Sequence, residues 1–237
     1  MDKLSYRLPK VAFTGPSGAG KTKLAEHFGR AAGFVAIEGD EMIYKAYSAH
    51  PEIAERVFGR APEAGEDPKE FAFSQYLPLT EEKERACFEF TRDYIEEQLV
   101  YVFQNPTTDF GSHEIFHDAV LFQPKDSAGV IKMPNGIAVE MCGFHRAKHL
   151  MRRTDFTVLV DSDKEVRKKM LASRPNMQDF IKMGMFDEVV AIREQVQAEL
   201  LQGAKPNLSL MNNYDDASFK LGEKKIIATM AERDIHI

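Results

Sequence analysis

Cysteine is scarce in this chain: Cys87 and Cys142 stand alone among 237 residues. That excludes a disulfide framework and a paired-cysteine metal knuckle. It fits a reducing compartment, and no apolar leader occupies Met1 to Lys10, so the expected location is cytoplasmic. No apolar run approaches the roughly 18 residues that would mark a membrane helix. Positive charge is also short. Lys and Arg number 31 against 37 Asp and Glu, a net charge of −6 with no compensating basic stripe. Neither nucleic acid nor membrane is therefore an expected partner. An anionic small molecule is not excluded, because it needs positive potential only locally. Repeats and low-complexity tracts are lacking too, and the length suits one domain, 1–237, with a sizeable insertion.

What is present begins with Gly15-Pro-Ser-Gly-Ala-Gly-Lys-Thr22, which fits G-x-x-x-x-G-K-[ST], the phosphate-binding loop known as Walker A. A short apolar run, Val11–Thr14, precedes it, and a proline-free stretch of helix formers, Lys21 to Ala32, follows and stops at Gly33. Strand, glycine-rich loop and helix is the arrangement the chemistry needs. Backbone N–H groups of Gly15, Ser17, Gly18, Ala19 and Gly20 would turn around a polyphosphate, and the helix start adds unpaired donors. Lys21 would reach the β/γ-phosphates and the Thr22 hydroxyl would ligate Mg²⁺. The expected ligand is ATP or GTP.

Further apolar runs at Phe34–Ile37, Gly136–Met141, Phe156–Val160 and Leu208–Met211 predict core strands, with helical patterns between most of them. That alternation predicts a three-layer α/β fold around a parallel five-stranded sheet. Glu82 to Phe103 predicts a long helix, with Phe88, Ile95, Leu99 and Val102 in helical spacing. Ser162-Asp-Lys-Glu165 has the capping-box form and would open a helix ending before Pro175. Phe186 to Gln202 and Asp215 to Arg233 predict two more. Residues 105–135 are either an insertion near the substrate or a hairpin on the sheet edge.

Several side chains could add chemistry. Asp40 follows the second apolar run, where groups at strand ends face the ligand crevice of an open α/β sheet. It could orient or deprotonate an acceptor hydroxyl, with Glu41 as substitute; either could instead cap the next helix. Glu140 lies late in a buried run, where a carboxylate needs a partner such as a metal site. Asp161 also ends a run, but the adjacent capping box accounts for it, so Glu140 ranks above it. Arg167, Lys168, Lys169 and Arg174 cluster before a proline turn. Cations on a lid there could neutralise transferred charge, Arg174 first among them, or they form a solvated helix face. Arg146, after the third run, could dock an anionic acceptor. His113-Glu-Ile-Phe-His117 fits H-E-x-x-H, which on a helix would hold Zn²⁺ for hydrolysis, but no third ligand follows and glycine and proline flank it.

With these residues in place, the chain resembles the small P-loop kinases that include nucleoside monophosphate kinases and dephospho-coenzyme A kinase. Glu38-Gly-Asp-Glu-Met-Ile43 resembles the segment after the second strand of dephospho-coenzyme A kinases, whose aspartate acts near the acceptor hydroxyl. Pro51 to Gly59 resembles the helix that follows there, and Phe156 to Arg174 is similar to the strand and helix entering the family's lid. Leu208 to Asn213 resembles the last strand and its Asn-bearing loop near adenine, which implies ATP contact at Asn213. Gly143-Phe-His-Arg146 echoes the Gly-Phe-Pro-Arg of adenylate kinases. An Asp-Gly-x-Leu-x-Arg segment expected after Gly59 is absent.

The resemblance implies a kinase that moves the γ-phosphoryl group of ATP, with Mg²⁺, to a nucleotide-like small molecule, a nucleoside monophosphate or dephospho-coenzyme A type. Lys21, Asp40 and Arg174 would be catalytic, Thr22 and Glu140 would serve the metal, and Asp40, Glu41 and Arg146 the acceptor. A helical substrate-binding insertion over 44–135 and a lid over 173–187 are expected. The alternative from another class, a nucleotide-binding regulatory switch, lacks the guanine-selective Asn-Lys-x-Asp segment in this chain.

Overall fold

Runs rich in β-branched and aromatic residues, punctuated by glycine-marked helices, give a single mixed sheet. The structure is a computed structural model that describes residues 7–236. In chain order its elements are β1 (Lys10–Thr14), α1 (Lys21–Ala32), β2 (Phe34–Glu38), α2 (Met42–Ala49), α3 (Pro51–Phe58), α4 (Pro68–Gln75), α5 (Glu81–Gln104), β3 (Val120–Phe122), β4 (Gly136–Glu140), α6 (Lys148–Met151), β5 (Phe156–Asp161), α7 (Lys164–Ala172), α8 (Gln178–Lys182), α9 (Phe186–Leu201), β6 (Leu208–Met211) and α10 (Asp216–Ala231).

The strand order is β3-β2-β4-β1-β5-β6. All neighbours are parallel except β3, which runs antiparallel to β2 at one edge. The sheet therefore has six strands rather than the expected five. The extra strand is three half-buried residues, too short to show a period. It is followed by a return through the isolated Lys125–Ile131 bridge.

Side chains alternate across the sheet because successive strand residues point to opposite faces. Val11, Phe13, Phe34, Ala36 and Val158 pack beneath α1 and α10. Ala12, Val35, Ile37 and Val139 pack on the other face, against α2, α5 and α6. These are the three expected layers. A third cluster, built on Tyr47, Phe71, Leu79, Phe180 and Val190, joins α2–α5 to α8 and α9 beyond the strand ends. Residues that close the site thus have their own packed support.

Local capping differs from expectation at one helix. Asp163, not Ser162, caps α7, its carboxylate accepting from the N–H groups of Glu165 and Val166. Asp215 caps α10 in a capping box with Ser218. His113 to His117 forms turns rather than a helix, so the two histidines do not share a helical face. His113 packs on Tyr101 and Phe116. Among the described residues no group of three His, Cys, Asp or Glu is placed to hold a metal alone. Among them too, no helix is long and apolar enough to cross a membrane.

Candidate functional site

Parallel order puts the carboxyl ends of β1, β2, β4 and β5 along one rim, and the order reverses beside β1. Ligands of open α/β sheets bind at such a switch point. The loop between β1 and α1 occupies it. Gly15 has φ 144°, and a Cβ there would lie 2.0 Å from the Val160 carbonyl oxygen. Gly20 has φ 86°, and a Cβ would lie 2.1 Å from Asn212 Nδ2. Both places need glycine, and the loop lies flush on β5 and the β6–α10 turn. Asn212 Nδ2 donates to the Ala19 carbonyl at 2.9 Å, while its Oδ1 accepts from the Ser218 hydroxyl and the Tyr214 N–H. On the other flank, Gln197 of α9 accepts from the Ser17 N–H and donates to the Ser17 hydroxyl, both at 2.7 Å.

Above the loop is a cavity of about 440 Å³. Ser17, Lys21, Thr22, Asp40, Glu41, Glu140 and Arg174 all line it. Two sequence-selected residues are elsewhere. Asn213 lines a separate hollow at the start of α10. Arg146 is turned to the end of α9, where it donates to the carbonyls of Glu199 and Leu200 (3.1 Å to the latter). Of the four cations near the proline turn, Arg174 alone lines the cavity. Arg167 pairs with Asp161 at 2.6 Å and Lys168 with Asp187 at 2.9 Å. Asp161 is thereby engaged by Arg167, whereas Glu140 faces Lys21.

Lys21 Nζ lies 3.1 Å from Glu140 Oε1, and both side chains are buried. Glu140 ends β4 opposite Glu38 of β2 in the parallel register. Asp40 follows, its Oδ1 accepting from the Cys142 N–H at 3.2 Å. The Thr22 hydroxyl donates to Glu38 Oε1 at 3.3 Å. One ammonium therefore serves three neighbouring carboxylates. Burial works against charge on Lys21, but Glu140 and then Asp40 outweigh it and raise its pKa, so it stays charged. The carboxylates cannot all be ionised beside it. Burial, then Asp40 and Glu41, push Glu38 up to about 7. Burial pushes Glu140 up to about 8, with Asp40 and Glu38 adding to it against the pull of Lys21. Asp40 is raised by burial, partly offset by Lys21 and the Cys142 N–H.

Sequence pattern alone does not single out Glu38, Tyr44, Lys69, Tyr76, Glu84, Arg193 or Gln197, which also line the cavity. Glu84 is buried on α5 and accepts from the Tyr76 hydroxyl at 2.6 Å. Arg193 of α9 lies 3.6 Å from Glu84 and over the Tyr76 ring, with its Nε buried and unbonded among the described residues. Lys69 holds Glu41 at 2.8 Å. One signal was available: Glu84 with Phe88, and Arg193 with Gln197, stand four apart and so share a helix face. Which face meets the site depends on packing between distant segments.

The residues fit Mg²⁺ bound together with a polyphosphate. Glu140 Oε2 and the Thr14 hydroxyl are buried without a hydrogen-bond partner among the described residues, and Glu140 Oε1 has the Lys21 ammonium alone. Oxygen donors suit this hard cation, which is held by one or two side chains plus phosphates rather than a full protein cage. The lining carries five carboxylates and four cations, so a polyphosphate held here would sit beside acidic side chains that a divalent cation could bridge to it.

No family model matches the chain, and no curated protein matches it either. Solved structures do. TT1252 from Thermus thermophilus is 18% identical, with 94% of this chain and 97% of that chain covered and a TM-score of 0.56. Shikimate kinase from Bacteroides thetaiotaomicron is 16% identical over 94% and 98% of the two chains, with a TM-score of 0.50. Dephospho-CoA kinase from Campylobacter jejuni is 13% identical over 95% and 98%, also at 0.50. With its parallel core sheet and glycine-rich loop at the switch point, the chain has the fold of the P-loop kinases.

Proposed function

We propose that the chain is a P-loop phosphotransferase that moves the γ-phosphoryl group of ATP to a hydroxyl of a nucleotide-like small molecule. The observation that carries this reading is that Lys21, Thr22, Asp40 and Arg174 line one cavity. Solved kinases of the same fold support the reaction class. On this reading 44–135 supplies the acceptor side of a single kinase domain, 173–187 is the lid, and Asn213 borders the adenine.

Donor binding follows from the loop. Its N–H groups and Lys21 hold the phosphates, while Thr22 and Glu140 would hold Mg²⁺, which neutralises phosphate oxygens. Arriving phosphates would compete with Glu140 for Lys21, and Glu140 would then have both oxygens available to hold that cation. Asp40 takes the proton of the acceptor hydroxyl. The acceptor oxygen then bonds to the γ-phosphorus as the bond to the bridging oxygen breaks, and ADP leaves. Arg174, exposed on the lid side, meets charge on the transferred oxygens.

A hydroxyl suits the acceptor end better than a phosphate. Glu38, Asp40, Glu41 and Glu84 face it, while Lys69 and Arg193 are already beside carboxylates. Hydroxyls donate to carboxylates, whereas a phosphate placed there needs free cations.

The test is a panel of nucleosides, nucleotides, sugars and dephospho-coenzyme A with Mg·ATP, read by ADP release and product mass. A hydroxyl compound should gain one phosphoryl group. Lys21→Ala should lower that turnover by at least about a hundredfold. It should remain folded, because Glu140 can take up a proton once its partner is gone. Full turnover by Lys21→Ala would defeat the assignment.

A further inference from the structure

Gln197 of α9 is 2% exposed, and among the described residues its amide bonds only to Ser17 of the phosphate-binding loop. A buried amide needs both of its ends partnered, and here both ends meet one loop residue. The position of Gln197 is set independently of the loop. One turn earlier on α9, Arg193 faces Glu84 of α5, and two residues later Glu199 is held by Arg85 of the same helix.

The chemistry of the pair allows one orientation. A backbone N–H can only donate, so the atom facing the Ser17 N–H at 2.7 Å is the amide oxygen. The amide nitrogen is thereby turned to the Ser17 hydroxyl, also at 2.7 Å, and the hydroxyl oxygen accepts from it. An oxygen that accepts from Gln197 cannot aim its own proton at the same atom. That proton has no acceptor among the described residues, and Ser17 lines the main cavity. The Ser17 N–H, expected from the loop pattern to face a polyphosphate, is engaged by Gln197 instead. The Ala19 N–H is engaged too, by the Pro16 carbonyl at 3.2 Å. At Ser17 the loop therefore offers a hydroxyl donor, and the amide decides where it points.

The start of α1, around Gly20 to Thr22, has the dipole and the unpaired donors that favour a phosphate. Ser17 comes three residues earlier and lies on the flank of α9. With the inner phosphates at the helix start, a donor on that flank meets the terminal one. During transfer negative charge spreads over the non-bridging oxygens of that group. A donor whose direction is fixed beforehand stabilises this charge without reorganising.

We propose that the Ser17 hydroxyl donates to a non-bridging oxygen of the γ-phosphoryl group, and that Gln197 is a positioning residue that holds the hydroxyl in that direction. This rests on the kinase reading. It adds to that reading the side chain of Ser17 and, acting through it, a residue of the helix that follows the lid segment. No bond is made or broken at either residue, and the proton stays on Ser17 Oγ. ADP has no γ-phosphate, so the contact exists with ATP and is missing with ADP.

The test measures affinity for Mg·ADP and for Mg²⁺ with a non-hydrolysable ATP analogue, by calorimetry. The proteins are the native chain, Ser17→Ala, Gln197→Glu and the double variant. Ser17→Ala keeps its backbone N–H on Gln197, so the loop stays braced. It should bind the analogue about tenfold less tightly, the loss of one hydrogen bond to a charged group, and bind ADP as the native chain does. Gln197→Glu still accepts from the Ser17 N–H, but its carboxylate draws the hydroxyl proton away from the cavity. Adding Ser17→Ala to Gln197→Glu should therefore weaken the analogue no further, and the cycle cancels any repulsion by the new carboxylate. Gln197→Met, with no group to orient the hydroxyl, is the second background and should give the same coupling. A residue that only braced the fold would lower Tm and both affinities together. In turnover Ser17→Ala should lower kcat by about ten- to hundredfold. Equal losses for the two nucleotides in Ser17→Ala, or none for either, overturn the hydroxyl contact. Additive losses in the double variants overturn the role of Gln197. A native chain that binds neither nucleotide defeats the kinase reading itself, an outcome distinct from both.

Discussion

In the proposed reaction Asp40 is the base for a hydroxyl acceptor, yet burial disfavours its charge. The two facts are compatible. A raised carboxylate is a stronger base, and Lys21 with the Cys142 N–H opposes the rise that burial causes. Turnover should therefore rise with pH through a limb above the ordinary carboxylate range. Asp40→Asn retains an oxygen for the Cys142 N–H but cannot take a proton. It should lower kcat by about 10²- to 10⁴-fold with ATP affinity little changed. A side effect discriminates the cause: Asp40 is the largest charge raising Glu38, so the Glu38 value should fall in this variant, visible by carboxyl-selective NMR. Near-native kcat in Asp40→Asn would favour an acceptor that is already an anion.

Where elements meet the loop, side chains that contact no substrate hold its shape. Asn212, at the end of β6, is buried and joins the Ala19 carbonyl, the Tyr214 N–H and the Ser218 hydroxyl. Its neighbour Asn213, the residue suggested by resemblance, makes none of these bonds. Asn212→Ala strands several polar groups and should cost about 2 kcal/mol, lowering Tm by about 5 °C in a domain of this size. Nucleotide affinity should drop with it, whereas Asn213→Ala should leave Tm unchanged. Equal Tm values in the two variants would show that the brace is unimportant. The contrast marks what the sequence makes legible. Gly15 to Thr22 is contiguous, so loop, strand and helix can all be read from one stretch. Asp40 and Glu140 follow from where strands end. β3 is not legible, because its three residues are defined by pairing with β2 and not by a pattern of their own. Glu84 and Arg193 lie more than a hundred residues apart, and their meeting depends on how α5 packs against α9. Arg146 shows the converse: a motif can place a cation after the right strand while packing turns it to the end of α9.

Over the whole molecule a net charge of −6 coincides with a main cavity that is itself acid-rich. Glu38 and Glu140 keep protons in the folded state up to about 7 and about 8, against 4.5 for a free glutamate. Between those values and 4.5 the folded chain binds more protons than the unfolded one, so the slope of stability against pH is negative there. Below about 4.5 both states are protonated and these groups take nothing from stability; as pH rises through 7 and 8 the penalty develops in full. The ligand-free protein should thus lose Tm between pH 5 and 8.5. Other carboxylates contribute slopes of their own, Glu66 and Asp118 of the opposite sign because partners lower them. The informative quantity is consequently the difference from Glu38→Gln. That variant removes one of the two buried protons at issue, and the native-minus-variant Tm should fall steadily across the window. Mg²⁺ with a non-hydrolysable ATP analogue should flatten the native curve at its alkaline end, since bound cation replaces the missing protons. A difference that is flat, or that grows with pH, would mean Glu38 is ionised throughout and that Lys21 alone balances the carboxylates of the ligand-free site.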